Sequence, residues 1–187
     1  MEQEYKVVSD LTEEEGRDLA EFLGSRMDTP ILERLIETRS EPVGVMYRGI
    51  KYRKDRLYVG AEYNHWYNLS SWSKDKAIAL GFTFEDYVPE GYYEDMYEEW
   101  YGEYVELGEI KREVFNQIND TIRKVLFVLE DGYGFTVGNH LEHDRFKDEQ
   151  EVINYMGSWT ITSLEESKND KGELYTIARL SPKIKKE

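Results

Sequence analysis

Residues 148–161, Asp148-Glu-Gln-Glu-Val-Ile-Asn-Tyr-Met-Gly-Ser-Trp-Thr-Ile161, decide how this chain is read. Glu149 to Ile153 and Ser158 to Thr162 are strand candidates on either side of a Gly157-Ser158 turn. Alternate side chains of an extended segment share a face, so Glu149 and Glu151 are expected to address one small volume. A carboxylate there can accept a proton or stabilise a developing positive charge. The pair carries little weight alone, because a chain with 39 acidic residues among 187 generates acid-x-acid pairs by chance.

Working outward, Tyr175–Leu180 is another strand candidate, joined to the preceding one by a hairpin turn at Asn169-Asp-Lys-Gly172. Upstream, Val125–Leu129 is a continuous apolar run of the buried-strand type, followed by a turn signal at Asp131-Gly132 and a strand over Phe135–Val137. Glu109 to about Asn119 and Asp75–Phe84 read as helices. Val43–Tyr47 reads as a short strand that delivers Arg48 and Gly49 at its end. Thr12-Glu-Glu-Glu15 has the form of a capping box, with Leu19, Phe22 and Leu23 following at helical spacing. Thr29-Pro30 starts a second helix whose apolar stripe is Ile31, Leu32, Leu35 and Ile36. Helices first and strands later predict an α+β domain over 1–187, with N-terminal helices in 1–42 and a core in 43–180.

Composition narrows the function. A net charge of −15 argues against a phosphate-binding face spread over the whole protein, and no direct nucleic-acid binding is expected. The absence of Cys removes disulfides, thiolate metal sites and Cys nucleophiles. His65, His140 and His143 lack metal-ligand spacing, so no metal is expected. Neither a signal peptide nor an apolar run of membrane-spanning length is visible, which predicts a soluble, cytoplasmic protein. Residues 89–106 hold seven acidic residues and six aromatic rings with no basic residue. They read either as a solvated insertion loop whose rings cover part of the core or as a recognition surface for a basic partner.

Four blocks then gain meaning from their order: VMYRGI (45–50), LSSWSKDKAIALGF (69–82), VLFVL (125–129) and the 148–161 segment. Together, over about 43–180, they resemble the R-S-E class of ADP-ribosyltransferases, and within it the phage-encoded Mod-type enzymes of T-even phages. The resemblance implies an ADP-ribosyltransferase-like fold, with helices ahead of a split, mostly antiparallel β-sandwich around an NAD cleft. It implies NAD⁺ as substrate and an acceptor protein carrying a reactive arginine, with host transcription or translation proteins as the class of target. Carried over residue by residue, it makes Arg48 the phosphate clamp, with Gly49, Ser71 and Trp72 beside the cofactor. Glu151 becomes the carboxylate facing the ribose, held by Ser71, and Glu149 the group that orients an acceptor arginine. Ser73 supports the sheet.

A guanidinium suits pyrophosphate because it binds oxygens through two parallel N–H groups. A carboxylate facing an oxocarbenium ion stabilises the transition state more than the ground state. Trp72 stands where many relatives have Thr or a small residue, and Met156 where they often have Pro. The loop from Asn139 to Lys147, with His143 and Phe146, falls where the acceptor would be recognised. Two other readings stay open: an NAD⁺ glycohydrolase with the same centre, and a non-enzymatic acidic inhibitor or decoy for a basic protein face.

Overall fold

The computed structural model of the protein describes residues 5–64, 68–85, 91–143 and 148–182. Strand β1 (Tyr5–Val7) is followed by helices α1 (Glu13–Ser25) and α2 (Pro30–Arg39). The capping box forms: Thr12 Oγ1 accepts the Glu15 N–H at 3.2 Å, and the Glu15 carboxylate accepts the Thr12 N–H at 2.8 Å. Two helix-end donors are thereby satisfied, a device that contributes about 1 kcal/mol. Pro30 opens α2, whose N-cap Thr29 accepts from Leu32.

Next come β2 (Glu41–Arg53), β3 (Glu62–Asn64), β4 (Leu69–Ser73), and α3 (Lys76–Phe84), which Asp75 caps by accepting from Ala77 and Ile78. Helices α4 (Tyr92–Tyr101) and α5 (Arg112–Asn119) precede β5 (Ile122–Thr136), β6 (Leu141–His143), β7 (Glu151–Tyr155), β8 (Ser158–Lys168) and β9 (Leu174–Pro182).

The mixed helix-and-sheet expectation holds, but the split sandwich does not. Strands run in the order β2-β4-β7-β5-β9-β8-β3, and β2 also pairs with β5. That extra pairing closes β2, β4, β7 and β5 into a small barrel, from which β9, β8 and β3 continue. Closure is possible because β5 is long enough to pair with β9 through Val125–Leu129 and with β7 through Phe135 and Thr136. The β5–β9 pair is parallel and the other pairs of this sheet are antiparallel.

Local readings are corrected as well. Asp131-Gly132 is not a turn: β5 runs through it, opposite an irregular stretch of β2 at Gly44. A Cβ on Gly132 would come within 2.5 Å of the Gly44 carbonyl oxygen, so this glycine permits two strands to approach. The strand carrying Arg48 extends over 41–53, which puts Arg48 in its middle. The insertion loop contains a helix, α4, which buries Met96 and stacks Tyr93 on Phe115 of α5 at 4.3 Å. Residues 89 and 90 lie outside the described residues, as do His65 and Phe146.

Two cores lie on opposite faces of the β4–β7 region. One packs Leu19, Phe22, Leu23, Leu32, Leu35 and Ile36 of α1 and α2 onto Leu69, Phe135 and Ile153. The other is aromatic, built from Tyr63, Trp72, Phe127 and Trp159, with Tyr63 stacked on Phe127 at 4.1 Å. The first core matters for the site, because it docks the C-terminal end of α1 against β4 and β7. Among the described residues no helix is long and apolar enough to cross a membrane.

Candidate active site

Strands β4 and β7 pair in antiparallel register, Ser71 opposite Ile153 and Ser73 opposite Glu151. Ser71 is therefore a diagonal neighbour of Glu151 on the same face, within reach for a hydrogen bond. It makes one: Ser71 Oγ donates to Glu151 Oε1 at 2.5 Å. Glu151 is 5% exposed, and its second oxygen, Oε2, is buried without a partner. A buried carboxylate oxygen left unsatisfied is costly in a resting protein and is suited to an incoming donor.

Glu149 joins this centre by a route other than strand alternation. Strand β7 begins at Glu151, and Gln150 has φ of +47°, a left-handed conformation that non-glycine residues rarely adopt. The kink is held from β4, since Ser73 Oγ donates to the Glu149 carbonyl at 2.7 Å and Lys74 N–H to the Gln150 carbonyl at 3.1 Å. Ser73 thus positions the first glutamate while Ser71 positions the second.

Arg48 lies half-buried on β2 and bridges to β4 by donating from Nη1 to the Ser71 carbonyl at 2.5 Å. Its Nε is buried and makes no hydrogen bond. Tyr63 sits beside it in full burial, and desolvation pushes its phenol up to about 12, so the ring stays neutral next to the guanidinium.

Two residues expected beside the cofactor have clear packing roles. Trp72 alternates away from Ser71 and is 3% exposed in the aromatic core, edge-on to Trp159 at 5.1 Å, with Nε1 donating to Ser70 Oγ at 2.9 Å. It cannot reach the face that carries Glu151. At Gly49 a Cβ would lie 1.8 Å from the Ala79 carbonyl oxygen and 2.4 Å from Thr83 Oγ1. Glycine is required there so that α3 can lie against β2.

One member of the cluster has no sequence signal. Arg26, at the end of α1, donates from Nη1 to Ser71 Oγ at 2.8 Å and to Glu151 Oε1, and its Nη2 lies 3.8 Å from Glu149 Oε2. Its backbone is left-handed, with φ of +59°. His140 stacks on Phe135 at 4.3 Å, and His143 is buried in β6 opposite Tyr5. Among the described residues no group of three or more His, Asp or Glu could hold a metal ion.

A solved structure of the ADP-ribosyltransferase Vis, in complex with an inhibitor, superimposes on this chain with a TM-score of 0.53. The match covers 93% of this chain and 75% of that one, at 15% sequence identity. The fold of this chain is similar to that of this ADP-ribosyltransferase. No protein-family model and no curated sequence matches the chain.

Proposed function

We propose that this chain is an NAD⁺-dependent mono-ADP-ribosyltransferase that transfers ADP-ribose to an arginine of a target protein and releases nicotinamide. The observation that carries the reading is the Ser71–Glu151 hydrogen bond, formed beside Arg48 on a fold similar to an ADP-ribosyltransferase. The residues present fit NAD⁺ chemically. Glu151 Oε2 is buried and unsatisfied, an acceptor suited to a ribose hydroxyl. Arg48 Nε, a donor suited to phosphate oxygen, is also buried and unsatisfied, but Arg48 stands opposite Phe127 on the aromatic face and meets the site through the Ser71 carbonyl.

Arg48 holds the pyrophosphate. Glu151, fixed by Ser71, accepts from the ribose and faces the positive charge that grows at the anomeric carbon as its bond to nicotinamide breaks. Nicotinamide leaves with the bonding electron pair, and a guanidinium nitrogen of the acceptor forms the new bond to that carbon. Glu149 orients the guanidinium and takes the proton it loses. A group with so high a pKa does not become nucleophilic without such a partner. A host transcription or translation protein as acceptor follows from the sequence resemblance only.

The test is incubation with labelled NAD⁺ and a bacterial lysate, followed by mass spectrometry of modified residues. ADP-ribose on arginine is the expected product. Label on another residue type would remove the arginine assignment, and unconsumed NAD⁺ would remove the enzyme.

A further inference from the structure

The position of Arg26 has a consequence for how substrates enter, provided the proposed function is correct. One guanidinium contacts Ser71 Oγ, Glu151 Oε1 and, at 3.8 Å, Glu149 Oε2. These are the groups assigned above to the ribose and to the acceptor guanidinium. A substrate that uses the same atoms cannot be bound while Arg26 holds them.

The contact is built for release as much as for holding. Arg26 sits just past the last turn of α1, where its N–H donates to the Phe22 carbonyl at 2.8 Å, and its guanidinium lies 5.6 Å from the centre of the Phe22 ring. The side chain remains 43% exposed, whereas its partner Glu151 is 5% exposed. A left-handed conformation at this helix position is usually given to glycine. A non-glycine residue there is strained, and such strain persists when surrounding contacts hold it. Gln150, which sets the direction of Glu149, is strained in the same way at the other wall of the site. The second oxygen of Glu151 stays buried and unsatisfied even with Arg26 in place, so the notch still has an acceptor to offer a better-fitting ligand.

We propose that Arg26 is an intramolecular occupant of a guanidinium-binding notch formed by Glu149, Glu151 and Ser71, which substrates must displace before transfer. Displacement by an acceptor arginine exchanges one guanidinium for another, so the notch neither gains nor loses charge. The same contact shields Glu151 from NAD⁺ when no acceptor is present, which restrains wasteful hydrolysis.

The test uses Arg26→Gly in the full chain, because glycine accepts the left-handed backbone without strain. Arg26→Asn, which also tolerates that conformation, serves as the second variant. Equilibrium binding of NAD⁺ is measured by calorimetry, with methylguanidinium as the probe for the notch. The variants are expected to bind NAD⁺ about tenfold more tightly than the wild type, the size of a modest, partly screened ion-pair network. Methylguanidinium should bind the variants and reverse their gain in NAD⁺ affinity, and should bind the wild type more weakly, because there it competes with Arg26 for the notch. Weaker NAD⁺ binding by folded variants would make Arg26 a cofactor ligand and overturn the proposal. Unchanged affinity would make it a structural tie and overturn it too, leaving the transferase reading intact. Absence of NAD⁺ binding by wild type and variants alike would overturn the transferase reading itself.

Discussion

Replacing Glu149 by Gln separates the two chemical tasks assigned to the carboxylates. The kink that presents this side chain is held through backbone atoms, the Glu149 carbonyl by Ser73 and the Gln150 carbonyl by Lys74. Gln therefore occupies the same place without the charge. Its ion pair with Arg26 is long, at 3.8 Å, with side chains 43% and 26% exposed. Solvent screening limits that pair to well under about 1 kcal/mol of stability. At about 2–4 °C per kcal/mol for a chain of this size, the melting temperature should move by only a few degrees. Catalysis should change far more. Loss of a general base costs on the order of 10²-fold or more, so transfer to arginine should fall by that factor. NAD⁺ cleavage to free ADP-ribose should persist, since Glu151 still faces the ribose and water can intercept the cation. The assay follows released nicotinamide and arginine-linked label in the same reaction across a pH series. A parallel fall of both products at every pH would refute the division of labour. An unaltered rate of arginine modification would show that the acidic pair is one of the chance pairs that so acidic a chain produces.

Two further outcomes test the scaffold. Gly49→Ala places a methyl group 1.8 Å from a backbone carbonyl of α3, so the helix must shift; a loss of about 3 kcal/mol is expected by denaturant unfolding, and a near-neutral change would contradict the packing described. His140 is held below the usual histidine range, first by burial and then by the charge of Arg39. Its folded pKa lies below its unfolded one, so its neutral form stabilises the fold above about pH 6.5 and that contribution is lost as the pH falls through the folded value. The melting temperature of the wild type should accordingly fall more steeply than that of His140→Gln just below pH 6.5, and identical slopes would contradict this.

How legible the protein was depended on how local each cause is. The Thr12 capping box and Pro30 at the first position of α2 act within three or four residues, and each stands where the sequence places it. The Ser71–Glu151 hydrogen bond was expected from the resemblance alone; the register of β4 and β7, which makes the two diagonal neighbours, could not be read from the sequence. Readings failed where the cause is tertiary. Gly132 looks like a turn residue, yet its role is to let Gly44 approach from another strand. Trp72 reads from the sequence as a core ring or a pocket residue, and the side-chain alternation of β4 places it in the aromatic core. The kink at Gln150 and the strained Arg26 have no local cue at all, since both are imposed by packing across the site. Barrel closure was invisible for the same reason: it depends on β5 pairing with β2 on one edge and with β7 and β9 on the other.

The central claim is that Glu151 stabilises the charge that develops as NAD⁺ is cleaved. It is tested most directly with Glu151→Gln, in which the amide oxygen can still accept from Ser71 while the negative charge is removed. The measurement is single-turnover release of labelled nicotinamide by wild type and variant at equal, saturating NAD⁺, with folding checked by melting temperature. Loss of one preorganised electrostatic group costs about 3–4 kcal/mol, so the rate should fall by roughly two to three orders of magnitude. A folded Gln variant that releases nicotinamide at nearly the wild-type rate would contradict the account.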